Sequence, residues 1–379
     1  MKIASLLAKM LIGLIIGIVI GLTIAGIAIV CFTEQTFSEY VESICSANFS
    51  DAMLSAAISI ITFIISLFIL TLIHEFGHLI CGLISGYKFV SFRIFNYTFI
   101  SIDNHIRIKR YSVEGTSGQC LLTPPDQPID KIPVILYNAG GLIANIIVLL
   151  IAIPLFWLNA SAVFKECLTI FVLTDALIIL LNGVPMKITG VGNDGYNMIF
   201  LKKNMLSKQG FVSQLRANAK IQEGIRPKYL SKEWFTTHDH IDYRNAMEVS
   251  LPSMSAAILL DEMRFEEALE KYNELYSHKN EMIALYVKEI ACELIFLNLV
   301  CGNHEKATEL LTNDIERYLK AYRKVMSSKE RQLCAIALIK DNDRAKAQAI
   351  YDNLLARENQ YLLQGEVKSD LALMKLILE

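Results

Sequence analysis

Residues 52–78 read AMLSAAISIITFIISLFILTLIHEFGH, and the fold of this chain turns on them. From Ala52 to Ile73 there is no charged residue, a run long enough to cross the hydrocarbon core of a bilayer as a helix. The run then enters His74-Glu75-Phe76-Gly77-His78 without leaving its apolar pattern. On a helix, two histidines four apart project from one face, so both imidazoles can reach a single metal ion. The glutamate between them stands where it can take a proton from attacking water. Polar and metal-binding groups at such depth are costly, and they mark functional positions.

Outward from that segment the composition divides the chain. The 379 residues are 53% hydrophobic with mean hydropathy +0.40, and the apolar content is concentrated in the first half. That pattern implies a membrane part followed by a soluble part. Three further apolar runs stand at Met10–Phe32, Ile132–Leu158 and about Cys167–Pro185. The first is longer than the core of a signal peptide and reads as an uncleaved anchor. Residues 33–51 carry Glu34, Glu39, Glu42 and Asp51 but no lysine or arginine. The segment after the second span carries Lys88, Arg93, Arg107, Lys109, Arg110 and Lys131, and Lys187, Lys202, Lys203 and Lys208 follow the fourth. The positive-inside rule then places both termini in the cytoplasm of a multi-pass cell-membrane protein. By helix rise His74 lies roughly 30 Å along the second span, toward the cytoplasmic face. A net charge of −2 offers no global basic field for nucleic acid. Eight cysteines without a C-x-x-C pair indicate no disulfide framework.

Two histidines leave a catalytic zinc site short of a ligand, since such sites use three protein ligands and an open position. The fourth span ends in Asn182-Gly183-Val184-Pro185, and Asn193-Asp194-Gly195-Tyr196 follows. Asp194 is one candidate, because Gly190, Gly192 and Gly195 let the chain fold back on irregular backbone. Asp175 is the other, an acid in mid-span with Asn182 on the same helical face. Residue pattern leaves the choice between them open.

Three motifs occur in order: His74-Glu75-x-x-His78, Gly140-Gly141-Leu142-Ile143-Ala144-Asn145, and Asn182-x-x-Pro185 followed by Asp194-Gly195. Together they resemble the site-2 protease family of intramembrane zinc metalloproteases, over about residues 55–205. The chain departs from that family's usual pattern in having Leu142 where a proline is common, and in a longer gap from Asn182 to Asp194. The resemblance implies a three-helix core that holds Zn2+ through His74, His78 and Asp194, with Glu75 as catalytic base. It also implies a catalytic part for Asn145, as a donor to the oxyanion or to the substrate backbone. The small residues Gly140, Gly141 and Ala144 would allow close helix approach there. Asn182 would orient the chain around Pro185.

Residues 87–123 alternate and are rich in aromatics, with a turn signal at Asp103-Asn104, and predict a short β-hairpin at the membrane interface. Such a hairpin could pair with an unwound substrate. From about residue 209 the pattern becomes charged and amphipathic. Ala268, Ala307 and Ala347 recur 39 and 40 residues apart in similar helix–turn–helix stretches, which looks like a tetratricopeptide-type repeat. His238-Asp239-His240 reads as a solvated loop.

The expected architecture is an all-α polytopic membrane protein of about four transmembrane helices, with a three-helix metalloprotease core, the interfacial hairpin and a cytoplasmic helical-repeat domain. Its divisions are an anchor and external loop at 1–51, the zinc core at 52–208, a linker at 209–245 and the repeat domain at 246–379. The expected function is zinc-dependent endopeptidase cleavage of a membrane-embedded or membrane-delivered segment near the cytoplasmic leaflet. Its partners would be that substrate, the bilayer, and a regulator or peptide on the repeat domain. A catalytically silent scaffold of the immunity or transport-accessory kind is the main alternative, and the intact Glu75 counts against it. A maturation protease for a small exported peptide would use the same chemistry.

Overall fold

The computed structural model describes residues 36, 38–39, 41–42, 48–102, 105–110, 118–188, 190–236 and 240–379. The expected span Met10–Phe32, the Asp103-Asn104 turn and His238-Asp239 lie outside the described residues. The chain is mostly helical with a small sheet. Among the described residues two helical segments, Met53–Ile84 and Ile129–Trp157, are long and apolar enough to cross a membrane.

Helix α1, Phe49–Ile84, runs unbroken for 36 residues because nothing in it stops a helix: it has no proline, and its apolar residues satisfy their backbone groups within the helix. It stops at Gly86, whose φ of +84° suits only a residue without a β-carbon. The Tyr87 N–H then bonds back to the Gly82 carbonyl and the Gly86 N–H to Leu83, a glycine-terminated cap that spends the free carbonyls.

Four strands follow: β1 (Lys88–Ile94), β2 (Tyr97–Ile102), β3 (His105–Arg110) and β4 (Gly118–Thr123), all antiparallel in the order β3-β2-β1-β4. The expected hairpin is therefore a four-stranded sheet. The long alternating run from Tyr87 breaks at Phe95-Asn96, which carry no strong turn signal of the proline or Asn-Gly kind. Phe95 takes the left-handed φ of +51°, at a cost of roughly 1–2 kcal/mol for an L-residue. The buried Arg93 guanidinium offsets it, donating to the Phe95 carbonyl at 3.0 Å and to the Gly118 carbonyl at 3.3 Å.

Helix α2 (Val134–Ala152) passes into a 3-10 stretch at Ile153–Trp157, where Pro154 removes a backbone donor. Helix α3 (Ala162–Gly183) begins earlier than the expected fourth span, because Lys165 and Glu166 sit inside its first turns. A two-stranded ribbon, β5 (Lys187–Ile188) with β6 (Val191–Gly192), precedes α4 (Asp194–Lys203) and α5 (Met205–Gln222).

The segment 209–245 differs from the expected linker. Most of it is α5 and two 3-10 turns, and Ala217, Ile221, Leu230 and Phe235 share a buried cluster with Leu251 and Ile258. A tether would leave those side chains in water; here burial favours a packed element.

Beyond it stand α6 (Ala246–Asp261), α7 (Phe265–Ser277), α8 (Ala284–Val300), α9 (His304–Leu310), α10 (Asn313–Tyr322), α11 (Ser327–Ala335), α12 (Arg344–Ala356) and α13 (Gln364–Leu378). Ala268, Ala307 and Ala347 lie on α7, α9 and α12, each fully buried where a larger side chain would hold neighbouring helices apart. The main apolar cluster gathers residues of α6 to α8 with Leu319, Ala335 and Leu373.

The chain divides into two compact units, residues 1–74 with 142–181, and 75–141 with 182–379. In the first, Ala152, Phe156, Leu168 and Val172 form a small apolar core. The hydroxyls of Ser55 and Ser59 both donate to the Glu166 carboxylate, at 2.6 and 2.8 Å, which gives that acid partners within the apolar helices. The second unit holds the sheet and all helices from α4 onward.

Candidate metal centre

One face of α1 is buried at helical spacing, with Ser66, Leu70, His74 and His78 in line and three of the four polar. Its opposite face exposes Phe76, Ile80 and Ile84, as a surface meeting lipid would. Phe76 rests on Phe92 of β1 with ring centroids 4.9 Å apart, so the sheet packs on this end of the helix.

Each histidine has its tautomer set by what its Nδ1 meets. The His78 Nδ1 lies 2.8 Å from the Tyr137 backbone carbonyl, which only accepts, so Nδ1–H donates and Nε2 is the nitrogen left to face Asp194. The His74 Nδ1 lies 2.9 Å from the Asn145 Oδ1. Asn145 donates its Nδ2 to the Asp175 carboxylate at 2.6 Å, which turns Oδ1 toward His74 and makes that Nδ1 a donor as well. Both rings therefore turn Nε2 toward the place where a metal would sit, with an oriented partner behind each ring.

Asp194 occupies the first position of α4, and its Oδ2 stands 3.2 Å from the His78 Nε2. Two ligands of one tetrahedral zinc ion stand about 3.3 Å apart, by the usual zinc–nitrogen and zinc–oxygen distances. His74, His78 and Asp194 each offer one ligand atom, and these atoms lie within 4.8 Å of one another. The group could bind a metal ion, and two imidazoles with one carboxylate form a donor set that suits zinc with a position left open.

The long gap between Asn182 and Asp194 has a local cause. Lys187–Ile188 pairs with Val191–Gly192 in the β5–β6 ribbon, and Gly190 takes a φ of +89°. Asn193 closes its base: its side chain donates to the Val184 carbonyl at 2.7 Å and accepts from the Met186 and Tyr196 backbone N–H groups. The chain thus returns to its starting point, and Gly195 lies so close to the Gly183 carbonyl that a β-carbon would overlap it. Asn182 is in the last turn of α3, its backbone carbonyl beside Gly195.

Asp175 is brought to Asn145, one step behind His74, and Asp194 is the acid that meets His78. The two ends of the Asn145 amide are engaged by His74 and Asp175. Glu75 is buried, and Gly118 of β4 lies against it: a β-carbon there would be 2.6 Å from the Glu75 Oε1. Gly140 allows the matching approach on α2, where a β-carbon would overlap the Gly77 carbonyl.

Three contributors are invisible to motif reading. Tyr137 acts through its backbone carbonyl, while its hydroxyl donates to the Cys120 carbonyl at 2.7 Å. Gly118 contributes by lacking a side chain, and Arg93 by fastening the Gly118 carbonyl. Spacing gives no signal for any of them. Cys120 is not among the donor atoms that converge with the two histidines. Comparison with protein-family models, with curated proteins and with solved structures finds no match for this chain.

Proposed function

We propose that this chain is an intramembrane zinc-dependent endopeptidase of the site-2 protease type. The observation that carries the reading is the convergence of two imidazoles and the Asp194 carboxylate beside a buried Glu75, at the end of a helix apolar enough to span a membrane. In this reading α1, α2 with its 3-10 extension, and α3 are membrane spans, Met10–Phe32 is a fourth, and both termini are cytoplasmic. The site then lies near the cytoplasmic leaflet.

A zinc ion held by His74, His78 and Asp194 would supply Lewis acidity, polarising an amide carbonyl and acidifying water. Glu75 takes the proton of the attacking water and passes it to the leaving amine. Asn145 and the Tyr137 carbonyl hold the imidazoles in the tautomer that this arrangement needs. A membrane-embedded or membrane-delivered helix must be unwound to expose its backbone. The order β3-β2-β1-β4 leaves β4 at an edge with Gly118 against Glu75, so a substrate strand added to β4 would run past the base. The helices after α5 would present a substrate or regulator.

The test is zinc content and peptide cleavage of the detergent-purified chain beside Glu75→Ala. Zinc near one per chain in both, with cleavage reduced at least about 100-fold in the variant, supports the reading. A folded wild-type chain without zinc, or a variant that cleaves as well as wild type, refutes it.

A further inference from the structure

A crevice of about 530 Å³ lies between the start of α2 and the corner joining α4 to α5. Its walls are apolar and partly open: Ile135, Leu136 and Met205 are 43%, 38% and 55% exposed. Three lysines border it. Lys202 and Lys203 are exposed and form no ion pair among the described residues. Lys208 is 9% exposed and spends one ammonium proton on the Asp130 backbone carbonyl at 2.9 Å. Burial holds that ammonium below its ordinary pKa, with the Asp130 carboxylate opposing. The Asp130 carboxylate also faces the crevice and offsets one of the three charges, leaving two positive.

The placement narrows the ligand. Ile132 to Ala139 belong to the first turns of the segment Ile129–Trp157, so in the membrane reading the crevice straddles the boundary between headgroups and acyl chains. Apolar walls with a cationic rim at that level match an amphiphile with an anionic head. A free anion would leave the walls unused.

We propose that this crevice binds one anionic phospholipid, its phosphate among Lys202, Lys203 and Lys208 and an acyl chain along Ile135, Leu136 and Met205. The proposal rests on the reading of α2 as a membrane span. Its consequence reaches the metal site, because α4 carries Asp194 at its first position and both exposed lysines in its last turn. A bound headgroup would fasten the helix that supplies the third ligand.

The test places the full-length chain in nanodiscs of phosphatidylcholine with phosphatidylglycerol, releases it into mild detergent, and counts retained lipid by native mass spectrometry. Wild type should keep one phosphatidylglycerol. Lys202→Gln/Lys203→Gln should weaken retention roughly 25-fold, taking about fivefold for each lysine at a membrane surface. Met205→Glu, at a helix start where a carboxylate is tolerated, should weaken it without unfolding the chain. Retention equal in wild type and variants overturns the proposal, as does displacement of the lipid by millimolar inorganic phosphate, which would mark a free-anion site. A chain that enters nanodiscs and keeps no phosphatidylglycerol overturns this proposal alone. A chain soluble without detergent overturns the membrane reading and this proposal with it.

Discussion

Two regions of this molecule bury several ionisable side chains, and they do so in opposite ways. Among the helices after α5 the charges are matched in pairs. Arg331 donates to Asp370 at 2.6 Å and to Glu293 at 2.8 and 2.9 Å, and its guanidinium lies 4.2 Å over the Phe296 ring. Lys329 meets Glu289 at 2.7 Å, while Arg323 and Arg357 share Glu330. Each cation faces an anion, so these charges balance one another. At the end of α1, by contrast, the groups brought together are donors of electron pairs. Two imidazole nitrogens and a carboxylate oxygen point at one place, and their other atoms are tied back to carbonyl and amide groups. Burial alone does not mark a functional site. What marks it is convergence of like chemistry on one point.

Substitutions sharpen that contrast. The largest effect on stability belongs to the paired cluster. Arg331→Ala leaves Asp370 and Glu293 buried without their cation, and should cost about 3–5 kcal/mol while zinc stoichiometry stays at its wild-type value. Denaturant unfolding and metal analysis read the two quantities, and a loss below about 1 kcal/mol would mean that water already reaches the pair. At the α1 end the order reverses. Asn145→Ala or Asp175→Ala, each leaving one buried hydrogen-bonding group unpaired, should cost only about 1–3 kcal/mol in unfolding but weaken zinc roughly 10- to 100-fold in chelator competition. Full zinc in Asp194→Ala together with loss in Asp175→Ala would exchange the roles of the two acids.

Gly118→Ala is a finer probe of the same region. The new methyl group meets the flexible end of Glu75 rather than backbone, so the chain should fold and keep zinc with cleavage lowered about tenfold. Unchanged cleavage would separate β4 from the chemistry. A last probe leaves the metal-binding groups untouched and concerns pH. Burial pushes the Glu366 carboxyl up to about 8, with Asp370 and Glu289 adding and Lys329 opposing. The folded chain thus keeps a proton that the unfolded chain releases near 4.5, so stability is full below that value and falls as pH rises toward 8. Glu366→Gln should flatten that decline, a change of up to about 1.4 kcal/mol for each pH unit between those two values. Parallel pH profiles for the two proteins would remove Glu366 as the cause.

Much of the fold and half of the metal site are legible in the residue pattern. The α1 helix, the stripe carrying His74 and His78, and the spacing of Ala268, Ala307 and Ala347 follow from periodicity, since helical faces repeat every few residues. The sheet exceeds the expected hairpin because Phe95 is a poor turn residue, held by an arginine whose place in the pattern suggests the membrane surface. The segment 209–245 resembles a linker in sequence because its apolar residues are sparse, although Leu230 and Phe235 find a buried cluster.

The sequence by itself determined that one apolar helix ends in two histidines and a glutamate able to serve a single metal ion, because an interval of four residues is a local property of helix geometry. It also narrowed the third ligand to Asp175 or Asp194. Only the tertiary structure shows where each acid sits: Asp194, just after the β5–β6 ribbon, meets His78, and Asp175 meets Asn145. The reason is physical: which distant side chain meets a helix face depends on how loops close and where glycines let backbones touch, and neither is written in the spacing of the motif.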